Sequence, residues 1–231
     1  MTGRYAIYFA PDASTALWQF GCRWLGRDAA SGRLLPPPDA PGLSREAWDR
    51  ATESPRRYGF HATIKPPFSL ADGCTPGALF EALVGFAASQ PAFQAPNLRF
   101  ERLRRFSALT LSRPSLEMGA MAAAAVADFE PFRRPAPPED KASRRAAGLT
   151  PSQEANLERW GYPYVMDDFT FHMTLTGSDP DDAPKAAAEA AVAAALPDLA
   201  ATPLTIDALC LYHQPDRASP CRLILRAPFG G

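Results

Sequence analysis

Three histidines occur in this chain of 231 residues, and two of them stand in the same local pattern. Phe60-His61-Ala62-Thr63-Ile64 is matched, 111 residues further on, by Phe171-His172-Met173-Thr174-Leu175. Successive side chains of a β-strand point to opposite faces, so His61 and Thr63 share one face while Phe60, Ala62 and Ile64 take the other. In the same way His172, Thr174 and Thr176 share a face backed by Phe171, Met173 and Leu175. Each strand is thus anchored by an apolar side and turns its His/Thr side away from the core. Cleaving a phosphodiester requires one group to accept a proton from the nucleophile and another to donate one to the leaving oxygen. Histidine suits both roles, because it titrates near working pH. Threonine hydroxyls can donate to the non-bridging oxygens and stabilise charge that develops there. A two-fold set of His61, Thr63, His172 and Thr174 therefore fits a tetrahedral phosphate without a metal ion. One His-x-Thr is a weak signal; the repeat of the motif with its preceding Phe is a stronger one.

Further contacts are sought around these motifs. Lys65 follows His61 by four residues and shares its face if the strand continues, where it would offset phosphate charge. Thr176 holds the corresponding place after His172. The segment Arg159-Trp160-Gly161-Tyr162-Pro163-Tyr164 precedes the second motif. In it Arg159 can fork onto a second phosphate and Tyr162 can stack on a base or sugar, while Trp160 and Tyr164 suit the core. Tyr8, on an early strand, either enters the cleft or packs. His213 lies outside the pattern, in the turn-like context His213-Gln214-Pro215. No HxH or HExxH spacing accompanies it, so neither a metal nor another cofactor is expected.

These side chains must be positioned by recurring elements. Strand-like runs rich in β-branched and aromatic residues cover 4–9, 58–64, 97–103, 106–113, 168–175, 204–212 and 221–227. Helix starts are marked at Asp12, Ser44, Thr75-Pro76, Ser115, Thr150-Pro151-Gln153 and Asp182, and Gly161 stops the fifth of these helices. The helix after Ser44 is expected to be short, over residues 45–52. Two Pro-rich stretches, about 32–57 and 133–150, read as long surface connections that can act as lids. Each histidine strand is followed by a helix and then two strands, which suggests an imperfect duplication. The expectation is an α+β chain forming a single bilobal domain, with lobe 1 at about 1–113 and lobe 2 at about 114–231. Two antiparallel sheets would flank a central cleft, with helices outside.

Composition narrows the partners. Hydrophobic residues make up 46% and charged residues 21%, ordinary for a globular chain with a core, and the formal net charge is −1. Lysine is scarce, with Lys65, Lys141 and Lys185 the only three among 24 basic residues. Binding to a nucleic-acid backbone depends on cations, so RNA is the less favoured partner unless Arg102, Arg104 and Arg105 form a local basic groove. A small phosphorylated substrate such as a cyclic phosphate suits the balance better. The N-terminus has no basic start followed by an apolar run, and no stretch is long enough to cross a membrane, so a cytoplasmic chain is expected. The four cysteines form no CxxC pair and read as small buried side chains. Oligomeric state leaves no trace in the sequence.

With the motifs His61-Ala62-Thr63-Ile64 and His172-Met173-Thr174-Leu175 in hand, the chain resembles the two-histidine (2H) phosphoesterase superfamily. The runs RYAIYFAP, RRYGFHATIKPPF and NLERWGYPYVMDDFTFHMTLTG are similar to a bacterial branch associated with phosphonate-utilisation operons. The resemblance implies a bilobal pseudo-symmetric fold and a phosphoesterase that hydrolyses a cyclic phosphodiester. It implies His61 and His172 as acid and base, in an order left open, and Thr63 and Thr174 as phosphate ligands. The phosphonate setting points to a ribosyl 1,2-cyclic phosphate as substrate. Two other functions remain: an RNA-end 2′,3′-cyclic phosphodiesterase or ligase, and a non-catalytic nucleotide or phosphate sensor.

Overall fold

The computed structural model describes residues 3–103, 106–178, 182–200 and 203–231. Arg104 and Arg105, two of the three arginines considered for a basic groove, lie outside these, and Arg102 is paired with Glu189 at 2.8 Å. The elements run β1 (Arg4–Phe9), α1 (Ala16–Leu25), α2 (Arg45–Tyr58), β2 (Ala62–Phe68), α3 (Pro76–Ala88), β3 (Phe93–Ala95), β4 (Leu98–Leu103) and β5 (Phe106–Leu111). They continue with α4 (Leu116–Asp128), α5 (Pro138–Arg145), α6 (Pro151–Trp160), β6 (His172–Thr176), α7 (Ala183–Ala200), β7 (Leu204–Ile206), β8 (Ala208–Gln214) and β9 (Arg222–Pro228). The class is α+β, with a seven-stranded antiparallel sheet in the order β4-β5-β6-β2-β1-β8-β9 and a two-stranded sheet β3-β7.

The two histidine strands lie side by side at the middle of the large sheet. Its strands interleave: β6 joins β5 and β4, while β2 joins β8 and β9 through β1. Each half of the sheet therefore takes strands from both sides of residue 113. One face carries the main core, with Tyr5, Ile7, Phe9, Ile64, Leu109, Met173 and Leu211 against the helices. On the other face, Ala6, Tyr8 and Tyr212 pack with Trp18 and Cys22 of α1. The cysteines are free thiols, and Cys22, Cys210 and Cys221 are buried, as small apolar side chains should be.

Local chemistry sets the ends of the elements. Thr15, Ser44, Thr75, Ser115 and Thr150 each accept a backbone N–H at a helix start, and Thr150 with Gln153 completes a capping box. The first helix starts three residues later than expected, because the Asp12 carboxylate is engaged by the N–H and hydroxyl of Ser14. Helix α2 runs to Tyr58, past residue 52, and through Pro55. Proline has no N–H to give the carbonyl four residues back. The carbonyl of Ala51 instead accepts the N–H of Gly177 at 2.6 Å, tying α2 to the end of β6. Strand β2 accordingly covers 62–68 rather than 58–64. The run 204–212 divides at Asp207, whose carboxylate takes Arg226 at 2.7 Å.

Both histidine strands carry one extra residue just after the threonine. Thr63 and Lys65 sit opposite consecutive residues of β1, Tyr8 and Ile7, so Ile64 is inserted. Thr174 and Thr176 sit opposite Ala108 and Ser107 of β5, so Leu175 is inserted. A bulge leaves a residue outside the ladder. The freed carbonyl of Leu175 accepts the Trp24 indole N–H at 2.9 Å, and the Trp24 carbonyl accepts the Trp48 indole N–H at 2.8 Å. Helices α1 and α2 thus lock onto the second histidine strand. Replacing Trp24 by Phe should lower unfolding stability by about 1–3 kcal/mol through the stranded buried carbonyl, with little change in denaturant m-value. Equilibrium urea unfolding measures this directly.

Candidate active site

Strand β2 meets β6 at Ala62 opposite Met173. Continuing that antiparallel register sets His61 opposite Thr174 and Thr63 opposite His172. Ala62 and Met173 are buried behind them. Directly opposed side chains have Cβ atoms about 5 Å apart and diagonal ones about 7–8 Å, so the imidazoles sit on a diagonal with a threonine beside each. The preceding phenylalanines hold the strands down. Phe60 is fully buried against Gly21 of α1, where any Cβ would fall 2.1 Å from its ring, and Phe171 packs 6.0 Å from Phe9.

The hydrogen bonds repeat as the motifs do. His61 Nδ1 lies 2.8 Å from the carbonyl oxygen of Gly59, and His172 Nδ1 lies 2.8 Å from that of Thr170. A carbonyl can only accept, so each Nδ1 carries a proton and each neutral ring keeps its lone pair on Nε2. The Thr63 hydroxyl lies 3.2 Å from His61 Nε2 and donates to it. Gly59 delivers its carbonyl from φ +84°, a left-handed backbone that favours glycine. The cleft between the rings measures about 370 Å³, and His61, Thr63, His172 and Thr174 all line it.

The two rings differ in their surroundings. His61 stacks on Tyr8 at 3.7 Å with 18° between planes and lies 6.0 Å from Tyr212. His172 stands 5.6 Å from the Phe106 ring. Burial lowers His61 from the ordinary histidine range to about 4; the Gly59 carbonyl opposes this and His172 adds a smaller push downward. Burial also lowers His172, against the Thr170 carbonyl.

Not every expected contact reaches the cleft. Tyr162 lines it, and Tyr8 lines it as the platform beneath His61. Lys65 does not. The bulge at Ile64 breaks the alternation that would have carried it to the face of His61, and its ammonium instead meets Glu130 at 2.9 Å and the Val126 carbonyl at 2.8 Å. Thr176 borders the cleft, but its fully buried hydroxyl accepts the Ser107 N–H at 2.9 Å across the matching bulge. Arg159 is exposed on α6 with its guanidinium 4.5 Å from the Trp160 ring, away from the cleft. Of the aromatics assigned to the core, Trp160 is half-buried and Tyr164 is exposed. His213 packs 5.0 Å from Tyr5 on the opposite face, so the three histidines do not converge. Among the described residues no three His, Cys, Asp or Glu side chains gather as metal ligands do.

The lining also includes residues that the motifs do not point to, among them Arg4, Tyr58, Phe106 and Arg144. Arg4 shares the alternation of Ala6 and Tyr8, so strand parity alone could have placed it. Arg144 sits on α5, inside a Pro-rich stretch with no periodic pattern to place it. Tyr58 arrives because α2 continues to the edge of the cleft.

The environment of the rings has a measurable signature. Both imidazoles should titrate below about 6.5 by NMR, with His61 the lower, and added inorganic phosphate should raise both by favouring the imidazolium. Since folding lowers these values, their stabilising contribution is complete above about pH 6.5 and is lost as pH falls through the folded values.

A family model described as "Protein of unknown function (DUF1045)" matches residues 63–222. Two curated relatives are named ribose 1,5-bisphosphate phosphokinase PhnN. The one from Janthinobacterium sp. (strain Marseille) is 38% identical over 99% of this chain and 51% of its own length. The one from Laribacter hongkongensis (strain HLHK9) is 36% identical over 81% of this chain and 43% of its own. The chain thus spans about half the length of the curated relatives it matches. Among solved structures, E. coli LigT complexed with 3′-AMP aligns over 100% of both chains with 13% identity and a TM-score of 0.43. A crystal structure of a phosphoesterase aligns over 100% of both with 13% identity and a TM-score of 0.44. No described helix is long and apolar enough to cross a membrane.

Proposed function

The chain belongs to the DUF1045 family, and we propose that it is a metal-independent phosphoesterase that opens a small cyclic phosphodiester. The observation that carries this reading is the register of β2 on β6, which sets each histidine opposite the other motif's threonine around one cleft. Both Nδ1 protons are committed to carbonyls, leaving both Nε2 atoms for proton transfer.

In the proposed reaction Thr63 and Thr174 hold the non-bridging oxygens. His61, the more strongly lowered of the two, stays neutral and accepts the proton of an attacking water. The water oxygen bonds to phosphorus while the ester P–O bond on the far side breaks. His172, protonated beside the bound anion, gives its Nε2 proton to the departing oxygen. The substrate we favour is a ribosyl 1,2-cyclic phosphate of phosphonate breakdown. Opening its P–O2 bond leaves the phosphate on C1, as in ribose 1,5-bisphosphate, the compound named for the two longer relatives. On a sugar that already carries a 5-phosphate, such a ring opening would yield the compound for which those relatives are named as kinases.

Turnover of ribose 1,2-cyclic phosphate esters, 2′,3′-cyclic mononucleotides and cyclic-phosphate RNA ends should be compared with excess chelator present. We expect the ribosyl ester to be cleaved at undiminished rate, and His61→Ala or His172→Ala to lower kcat by about 10²–10⁴-fold each. Loss of activity on chelation would sink the metal-free mechanism. Binding without turnover would favour the sensor, and best turnover on RNA ends would move the chain to the RNA-end class.

A further inference from the structure

A second cavity, of about 550 Å³, adjoins the histidine cleft and shares Arg4, Pro66, Pro67 and Arg144 with it. Its remaining wall is strongly cationic, with Lys65, Arg133, Arg134, Lys141 and Arg217. Those five each have a carboxylate partner, with Lys65 and Arg133 sharing Glu130. Arg133 pairs with Glu130, Arg134 with Asp72, Lys141 with Glu158 and Arg217 with Asp140, at 2.5–2.7 Å. The two arginines at the junction of the cavities have no such carboxylate among the described residues.

Each is instead held in place by a neutral group. The Arg144 guanidinium lies 4.4 Å from the Tyr162 ring centre, stacked on an aromatic that itself lines the histidine cleft. The Tyr162 hydroxyl also takes a hydrogen bond from Arg144, so ring and hydroxyl together hold the guanidinium at the rim. Arg4 donates through Nη2 to Gln214, whose amide is steered by its own bond to the Ser219 carbonyl at 2.8 Å. Arg4 Nε is buried and has no partner. A buried charged donor left unsatisfied is costly, and native proteins rarely leave one without a use.

We infer that Arg4 and Arg144 form a subsite for a second phosphate, a monoester dianion carried by the same sugar as the cyclic ester. This inference rests on the proposed phosphoesterase reading and specifies its substrate as a ribosyl cyclic phosphate that is also phosphorylated on its 5-hydroxyl. The cyclic phosphate lies between the histidines, the sugar lies along Tyr162, and the outer phosphate bridges the two forks. Arg159 had been the candidate for such a phosphate, and its exposure leaves that place to Arg144, one helix earlier. Two guanidinium charges match a dianion.

The test compares ribose 1,2-cyclic phosphate with and without a 5-phosphate as substrates. Wild-type protein should favour the phosphorylated form in kcat/KM. Arg144→Ala, on a surface helix and therefore safe for folding, should reduce that preference at least about tenfold, as expected for charge-assisted hydrogen bonds. Arg4→Lys, which keeps the charge but loses the fork, should reduce it less. An unchanged preference ratio in both variants would overturn the subsite. Ribose 5-phosphate binding, followed by calorimetry, separates this from the chemistry. Binding that is lost in Arg144→Ala but kept in His172→Ala upholds the subsite even if no cyclic ester is turned over. Binding indifferent to Arg144, or none at all, removes the subsite while leaving the histidine chemistry standing. Preference for a 5′-phosphate on 2′,3′-cyclic nucleotides alone would reassign the outer phosphate to a nucleotide and overturn the ribosyl substrate.

Discussion

Everything at the cleft depends on how two short strands meet. Strand β2 touches β6 through Ala62 and Met173, and because β-pairing has a period of two, a slip of one residue would turn one motif's histidine and threonine into the core. The pairing is protected from such slippage on several sides. Phe60 and Phe171 bury the residue before each histidine, and bulges at Ile64 and Leu175 pin each strand to its outer neighbour. The carbonyl of Leu175 is caught by Trp24, and that of Ala51, left open by Pro55, catches Gly177. The helices act less as a cover than as clamps on register.

The symmetry of the motifs is broken by what surrounds them, and the difference is chemical. An imidazole stacked on a buried tyrosine, beside a second tyrosine, sheds its proton more readily than one standing next to a phenylalanine near solvent. Near-identical local sequences therefore yield two groups with different proton affinities. The acid–base roles proposed for the two rings would be favoured by that inequality. Tyr8 supplies much of it from β1, a strand outside both copies of the repeated order.

Much of this was legible in the sequence, and the exceptions have physical causes. The motif pair, the α+β class and four helix caps, at Ser44, Thr75, Ser115 and Thr150, follow from alternation and capping chemistry, which are local. Lys65 leaves the face of His61 and the Thr176 hydroxyl meets the Ser107 N–H because one inserted residue per strand changes the phase of alternation, and nothing within Thr63-Ile64-Lys65 announces it. Helix α2 was expected to end at Thr52, but a tertiary partner for the Ala51 carbonyl let it continue through Pro55. Arg144 was invisible for a different reason. Its place depends on how the stretch before Thr150 folds back over the sheet, and no periodicity encodes that.

The interleaving of the large sheet also bears on how the chain comes to be folded at all. Arg4 pairs with Gln214, so the first strand cannot find its second neighbour until about 210 further residues exist. Ladders between such distant segments carry a large loop-closure entropy and favour slow, late assembly. As the chain leaves the ribosome, β1 can dock on β2 while its other edge waits open. The aromatic wall beneath His61, made of Tyr8 and Tyr212, is completed only by that last strand. A polypeptide cut short between β6 and β8 would thus keep both histidines and lack the surface that makes them different.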